Sequence, residues 1–357
     1  MLFSFSFTET PSLIFYGNEK SMANPIWKDL ALNIGGADYT LYRIKVGGAV
    51  IFEGKAYKRP GDTQVMVKIN DVCADYLENT LPNLSQASFE AITLPVVFSL
   101  EVYVLNQWAF VGDISFYNDW SYDPTFDPET MGLAHPINGK VSAKGWLIYT
   151  AYDSSSVSAV LTFKDGTSQT LVIPIAKSND FNDDFNEDFS RATAMAGSGS
   201  ATIDLSQWED LAKVEIGNTT YKVEDTCKRY TLHYLNAYGG WDSLLIEGNV
   251  KETDSSSRTT MDVEYNNASL MNRGTRVIAN EITKTFTLFT GWMSDAESER
   301  MHHLVNSTDI YLEDTLEGRF YPVIMETSTL DHKTYKNNGG MVNYELSVSL
   351  AQSRQRR

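Results

Sequence analysis

The sequence predicts a mainly β protein: two β-sandwich-like domains followed by an α+β domain with one short helix between strands. Three observations carry that prediction. Tyrosine and phenylalanine are abundant, 19 and 17 of 357 residues. With recurrent Thr/Val runs they suit a pleated, half-buried surface better than a helix. Period-two alternation of apolar and polar residues recurs between Gly-Gly, Pro-Gly and Asp-Gly signals, and sustained helical spacing is confined to one late segment. The length suits two or three domains at ~100–200 residues each.

The first domain is read as residues 1–90. Met1-Leu-Phe-Ser-Phe-Ser-Phe alternates without a basic n-region, so it reads as a first strand and not a signal peptide. In 39–46, Tyr39, Leu41, Arg43 and Lys45 interleave with Thr40, Tyr42, Ile44 and Val46. Gly47-Gly48 then turns the chain into Ala49–Phe52, a hairpin signal. After the Pro60-Gly61 turn, Gln64–Ile69 alternates again. Asp71 is expected to cap a short helical turn through Tyr76 and Leu77 that ends before Pro82.

The second domain, residues 91–225, opens with the apolar stretch Val96–Leu105 and the alternating stretch Trp108–Phe116. An irregular, proline-rich stretch over 118–140 holds Trp120, Tyr122 and Phe126; loops that long in compact domains are usually functional or packed on themselves. Strands resume at Trp146–Tyr152 and Ser156–Phe163, and Asp165-Gly166 turns the chain into Gln169–Ile175. Asn179–Phe189 repeats an acidic/Asn–Phe unit, and Ala196-Gly-Ser-Gly-Ser200 follows. A loop and an amphipathic turn are both compatible with that pattern, a surface loop being preferred because Asn and Asp are poor helix interiors.

The third domain, residues 226–357, has strands at Tyr230–Leu235 and Leu244–Gly248 around a Tyr238–Asp242 turn, and alternation at Lys284–Phe289. Ser294-Asp-Ala-Glu297 is a capping box, and Met301, Leu304 and Val305 at helical spacing predict one amphipathic helix over 295–306. Ile310–Glu313, Phe320–Thr327 and Val342–Leu350 read as strands, with Asn337–Gly340 as a hairpin loop. Such an order suits a sheet wrapped around a single helix.

No catalytic, cofactor or metal site is expected. Net charge −17 argues against a nucleic-acid backbone and an anionic membrane surface. No apolar run approaches the ~18 residues of a membrane span. Cys73 and Cys227 stand alone, outside any metal spacing, and read as buried thiols of a protein assembled in a reducing cytoplasm. His135, His233, His302, His303 and His332 form no HExxH or His-x-His pattern, and GxSxG and phosphate-loop motifs are missing. The acidic residues of 180–188 fail the EF-hand register, since Phe185 stands where glycine is required. Trp108, Trp146 and above all Trp120, Tyr122 and Phe126 are candidates for stacking on a host glycan or a partner, although aromatics in a sandwich are usually core.

Two strings carry a resemblance. Phe52-Glu-Gly-Lys-Ala-Tyr-Lys-Arg-Pro-Gly61 with Ile69–Leu77 resembles the N-terminal region of uncharacterised structural proteins, of tail or baseplate type, encoded by phages and prophages of gut Bacteroidetes. Tyr234–Gly248, Leu288–Glu297 and Tyr311–Asp314 resemble the C-terminal part of the same group. The order of strands, one helix and a terminal hairpin is similar to that of phage tail-tube and distal tail proteins. That resemblance implies ring-forming contacts within residues 280–352, with Trp241, Trp292, Met301 and Tyr335 as candidate assembly contacts. It implies a structural, non-enzymatic virion component of tail or baseplate, assembled in the host cytoplasm, with itself and other virion proteins as partners. A host-receptor or carbohydrate-binding module is the alternative, and a glycan hydrolase stands third.

Overall fold

A computed structural model describes residues 12–14, 24–26, 30–34, 37–62, 64–77, 89–91, 97–104, 107–117, 119–123, 132–134, 138–151, 156–174, 199–224, 229–262, 275–329, 341–352 and 354–356. The chain is mainly β, 63% strand against 7% helix among the described residues, as its composition and alternation predict. Segments 179–189 and 337–340, together with Phe126, His135, Cys227, His332 and Tyr335, lie outside the described residues.

The first unit contains β1 (Ser12–Ile14), β2 (Asn24–Pro25), β3 (Leu30–Asn33), β4 (Tyr39–Val46), β5 (Ala49–Tyr57), β6 (Gln64–Val67) and a helical turn α1 (Asn70–Ala74). β7 (Phe89–Ala91) leaves for the next unit, and β8 (Val97–Val104) and β9 (Gln107–Tyr117) return. Sheet β1-β3-β6 and sheet β2-β9-β8-β4-β5 share one core, with Leu32, Val65 and Val67 meeting Ile44, Leu100 and Ile114. The division at residue 90 therefore cuts through a sheet. β8 and β9 pair with β4 because Phe98, Leu100 and Val102 have their buried partners in the first core. Gly47 and Gly48 take φ of 56° and 83°, as a two-residue hairpin requires, and close Val46 onto Ala49. Asp71 sits inside the first turn of α1 and does not cap it; the cap position is the buried Ile69, two residues earlier than the capping pattern implied.

The second unit is also a sandwich. It is built from β10 (Gly139–Ser142), β11 (Trp146–Ala151), β12 (Ser156–Phe163), β13 (Ser168–Pro174), β14 (Gly199–Asp204), β15 (Leu211–Ile216) and β16 (Thr219–Glu224). Sheet β10-β16-β15-β12-β13 covers sheet β11-β14-β7, with Leu147, Ala201 and Ile203 packed on Ala159, Leu161, Val214 and Tyr221. The Gly-Ser stretch read as flexible ends as strand: Gly199 and Ser200 begin β14, whose ladder runs antiparallel along the whole of β11. Small residues there let Thr150 and Ser200 hydroxyls hydrogen-bond at 2.9 Å inside the protein.

The third unit comprises β17 (Tyr230–Leu235), β18 (Trp241–Leu245), β19 (Val250–Asp262), β20 (Thr275–Phe289), β21 (Met293–Ser294), helical turns α2 (Asp295–Ser298) and α3 (Arg300–Val305), then β22 (Ile310–Asp314), β23 (Arg319–Met325), β24 (Met341–Val342), β25 (Glu345–Leu350) and β26 (Arg354–Arg356). One sheet runs β18-β17-β22-β23-β25-β20-β19. The capping box forms as read: the Ser294 N–H donates to Glu297 Oε2 at 2.8 Å, and the Glu297 N–H donates back to Ser294 Oγ at 3.2 Å. Met301 and Leu304 share a core with Leu232, Tyr234, Leu312 and Leu346, so the sheet packs on this segment as expected. The single helix expected over 295–306 is instead interrupted at Glu299 into α2 and α3.

A Cβ added at Gly240 would lie 2.2 Å from the Leu133 carbonyl oxygen, a backbone atom that cannot swing aside. Gly240→Ala is therefore expected to destabilise the chain by about 2–3 kcal/mol, the cost of overpacking a tight site. Urea unfolding followed by tryptophan fluorescence measures it; an unchanged midpoint would refute the tight approach of the two units.

Candidate functional site

The hairpin β17/β18 is buried on both faces, which is unusual for strands that end a sheet. Its alternation explains why. Tyr230, Leu232, Tyr234 and Leu244 face the helix side, while Leu235 and Trp241 on the opposite face join Ile148 of β11. The second unit thus covers the edge that the third leaves open.

Many polar side chains inside this seam find partners, some within the third unit and some across it, while the buried Thr231 and Tyr234 hydroxyls and the Trp241 indole N–H find none among the described residues. Asn236 Oδ1 accepts from the Tyr238 and Gly240 N–H groups, and its Nδ2 donates to Leu133 O and Asp242 Oδ2. The Trp241 N–H donates to Thr150 Oγ1 at 2.9 Å. His233 meets Ser243 Oγ through Nδ1 and Glu313 Oε2 through Nε2, both at 2.9 Å. The Trp146 N–H reaches that same carboxylate oxygen from the second unit. Sequence reasoning missed the Ser243–His233–Glu313 group because its members lie on three strands with no motif spacing. All three side chains are inaccessible to solvent. Nucleophilic chemistry needs a cleft where substrate reaches the hydroxyl, so the geometry fits a brace.

Arg300 of α3 is buried over the Tyr221 ring. Burial works against its charge, but Asp242, Tyr234 and Tyr221 raise its pKa. Beside it runs a small cleft lined by Lys140, Leu244, Glu247, Met293 and Glu297. Lys140 bridges Glu247 at 3.1 Å and Glu297 at 3.7 Å there, tying β10 to the helix cap. Among the described residues no group of three His, Cys, Asp or Glu side chains is placed to hold a metal ion, and no helix is long and apolar enough to cross a membrane.

The other outstanding feature is the ribbon β19/β20, of 13 and 15 residues. From Lys251 to Asp262 every residue of β19 is exposed. β25 pairs with Thr285–Phe289 and β26 with Asn280–Ile282. Thr275–Ala279 have β19 as their sole partner among the described strands. At ~3.4 Å per residue, β19 alone spans about 40 Å. Met261 of β19 and Val277, Ile278 and Ile282 of β20 stand exposed on the ribbon, Val277 at 51%. Its root is held by charge: Glu252 takes Lys284 and the Tyr230 hydroxyl, and both lower its pKa. Next to it Arg229 holds the Asp314 carboxyl below its ordinary range against the cost of burial.

The residues singled out by sequence fall in different places. Trp120 and Tyr122 come together, ring centroids 6.4 Å apart. Trp120 is half-buried against the first core, and its N–H donates to Ala237 O. Tyr122 is exposed, in a left-handed backbone conformation with φ of 57°. Trp292 is 56% exposed and free to meet another surface. Trp241 and Met301 are corrections: both are 0% exposed, filling the seam and the helix core, so neither can contact another chain. No protein-family model matches the sequence, and no curated protein matches it.

His303 supplies a pH test. Its Nδ1 accepts the Ala237 N–H at 3.1 Å, so the ring is bound in its neutral form. Burial, then His302 and Arg300, lower its pKa to about 4. The unfolded chain therefore takes up a proton near the ordinary histidine pKa of ~6.5, and the folded chain does so only near 4. The stabilisation is complete above pH ~6.5 and is lost as pH falls through that window, on the order of 2 kcal/mol in all. Unfolding titrations between pH 7 and 4 should show this slope flattened in His303→Gln; equal slopes in both proteins would rule the mechanism out.

Proposed function

We propose that this chain is a structural component of a bacteriophage virion, of its tail or baseplate, that works by oligomeric assembly. The observation that carries this reading is the β19/β20 ribbon. A two-stranded ribbon exposed on both faces is marginal in water on its own. An exposed edge strand presents a row of unsatisfied N–H and C=O groups that another chain can complete. This ribbon carries exposed Val277, Ile278 and Ile282 beside that edge, and the rigid seam at its base holds its direction. Ordering such an element is favourable when a neighbouring copy, or an adjoining virion protein, buries it. The resemblance of Tyr234–Gly248 and Leu288–Glu297 to phage structural proteins points the same way. On this reading the protein is not an enzyme, carries no cofactor, and resides in the virion after assembly in the host cytoplasm.

Sedimentation velocity and negative-stain electron microscopy test it on the full chain. Rings or open arrays are expected to appear with rising concentration. Val277→Asp together with Ile282→Asp should raise the concentration needed by about tenfold or more, equal to ~1.4 kcal/mol per contact. Thermal unfolding of the monomer should hardly change, since both side chains are exposed. A wild-type chain that stays monomeric at the highest soluble concentration would defeat the proposal.

A further inference from the structure

From the outer face of the first unit's five-stranded sheet we infer a binding site for an uncharged glycan chain, separate from the assembly ribbon and independent of that reading. The solvated face of an antiparallel sheet ordinarily reads polar. Here the outward positions of β5, β4, β8 and β9 include five aromatic rings, Tyr39, Tyr57, Tyr103, Trp108 and Phe110. Tyr39 and Tyr57 pair across β4/β5 with ring centroids 5.8 Å apart, and Tyr103 and Trp108 pair across β8/β9 at 5.2 Å. Phe110 is next to them and 61% exposed; Tyr57 is 64% exposed.

Charged groups are set among the rings. Glu101 in the middle of the face receives Lys45 at 2.6 Å and also Arg43, and these two cations lower its pKa. The Arg43 guanidinium lies 4.4 Å over the Trp108 ring, and Lys55 Nζ lies 3.7 Å from the Tyr39 centroid and 4.6 Å from that of Tyr57. Rings therefore alternate with fixed donors and acceptors. Apolar sugar faces stack on such rings, and adjacent hydroxyls accept hydrogen bonds from a guanidinium and donate them to a carboxylate.

Two features select the occupant. The first is charge: Arg43, Lys45 and Lys55 balance Glu53, Glu101 and Asp113 on this face, in a chain of net charge −17. A neutral ligand meets no field there, whereas an acidic polymer approaches a strongly acidic protein. The second is size. Three strand spacings by six residues give about 14 Å by 20 Å, about 300 Å². A stable protein–protein contact needs ~800 Å² per partner, so the patch is too small for a second copy and fits a short run of linked sugar rings. The pair Trp120 and Tyr122, first suspected from sequence, offers one exposed ring, Tyr122, where the sheet face offers Tyr57 and Phe110 with three half-buried rings between them.

Isothermal titration of the full chain with linear tetrasaccharides of glucose, mannose and galactose, α- and β-linked, tests the site. Saturable binding to at least one is expected. Trp108→Ala and, separately, Tyr57→Ala should weaken it by about tenfold or more with unchanged circular dichroism, while Tyr122→Ala leaves it intact. Silence toward every member of the panel overturns the inference. So does binding lost only in Tyr122→Ala, or a sedimentation profile in which Trp108→Ala turns an oligomer into a monomer, which would give the face to protein contact. Because the ribbon variants Val277→Asp and Ile282→Asp leave this face untouched, failure here and failure of assembly are read separately.

Discussion

The structure depends on burying β17 and β18 on both faces. A strand pair in that position loses water from every backbone and side-chain polar group it carries, and an unmatched buried group costs more than a matched one returns. That constraint dictates what the neighbouring elements must supply. Leu133 O, Thr150 Oγ1 and the Trp146 N–H come from the second unit, and Glu313 comes from β22. Gly240 and Gly139 are required because a Cβ at either would collide, with the Leu133 carbonyl and with the Arg300 guanidinium respectively. The seam is a network in which removing one member strands several others.

That rigidity has a consequence for the ribbon. Tyr230 begins β17, and its hydroxyl donates to Glu252 of β19, which also holds Lys284 of β20. The seam and the root of the ribbon therefore share a strand. A long hairpin gains little from its own side chains, so its direction is set by where its first few residues are fixed. Here they are fixed to the most buried strand of the unit.

What the sequence made legible follows from how much each element buries. The capping box at Ser294 and Glu297, the Gly47-Gly48 hairpin and the strands around Leu312 and Leu346 rest on local chemistry or one-sided burial, and both leave a pattern. The ribbon left none: Lys251–Asp262 is polar on both faces, so it lacks the alternation by which a half-buried strand is recognised, and only Lys284–Phe289 at its root showed it. Burial on both faces hid the seam in the opposite way. Trp241 and Met301 looked like surface anchors because nothing local says whether a large apolar side chain fills its own core or a partner's. The division at residue 90 failed for a related reason, since strand pairing between β4 and β8 is a long-range choice made by the core.

The two outward surfaces differ in chemistry, and the difference bears on what each can hold. The ribbon offers aliphatic side chains and an open backbone edge, a combination that rewards another strand through main-chain hydrogen bonds and apolar area. Across most of the face of the first sheet the backbone is already used, because β4, β8 and β9 each pair on both sides and only β5 and the short β2 end the sheet. What it offers is flat aromatic rings with cations resting on them and one carboxylate between two basic groups. Backbone has little to gain there, while a ligand with both apolar faces and hydroxyl rims can use every part. The assembly reading and the glycan site thus draw on separate physical resources of the chain, an open backbone edge in one case and a filled sheet face in the other.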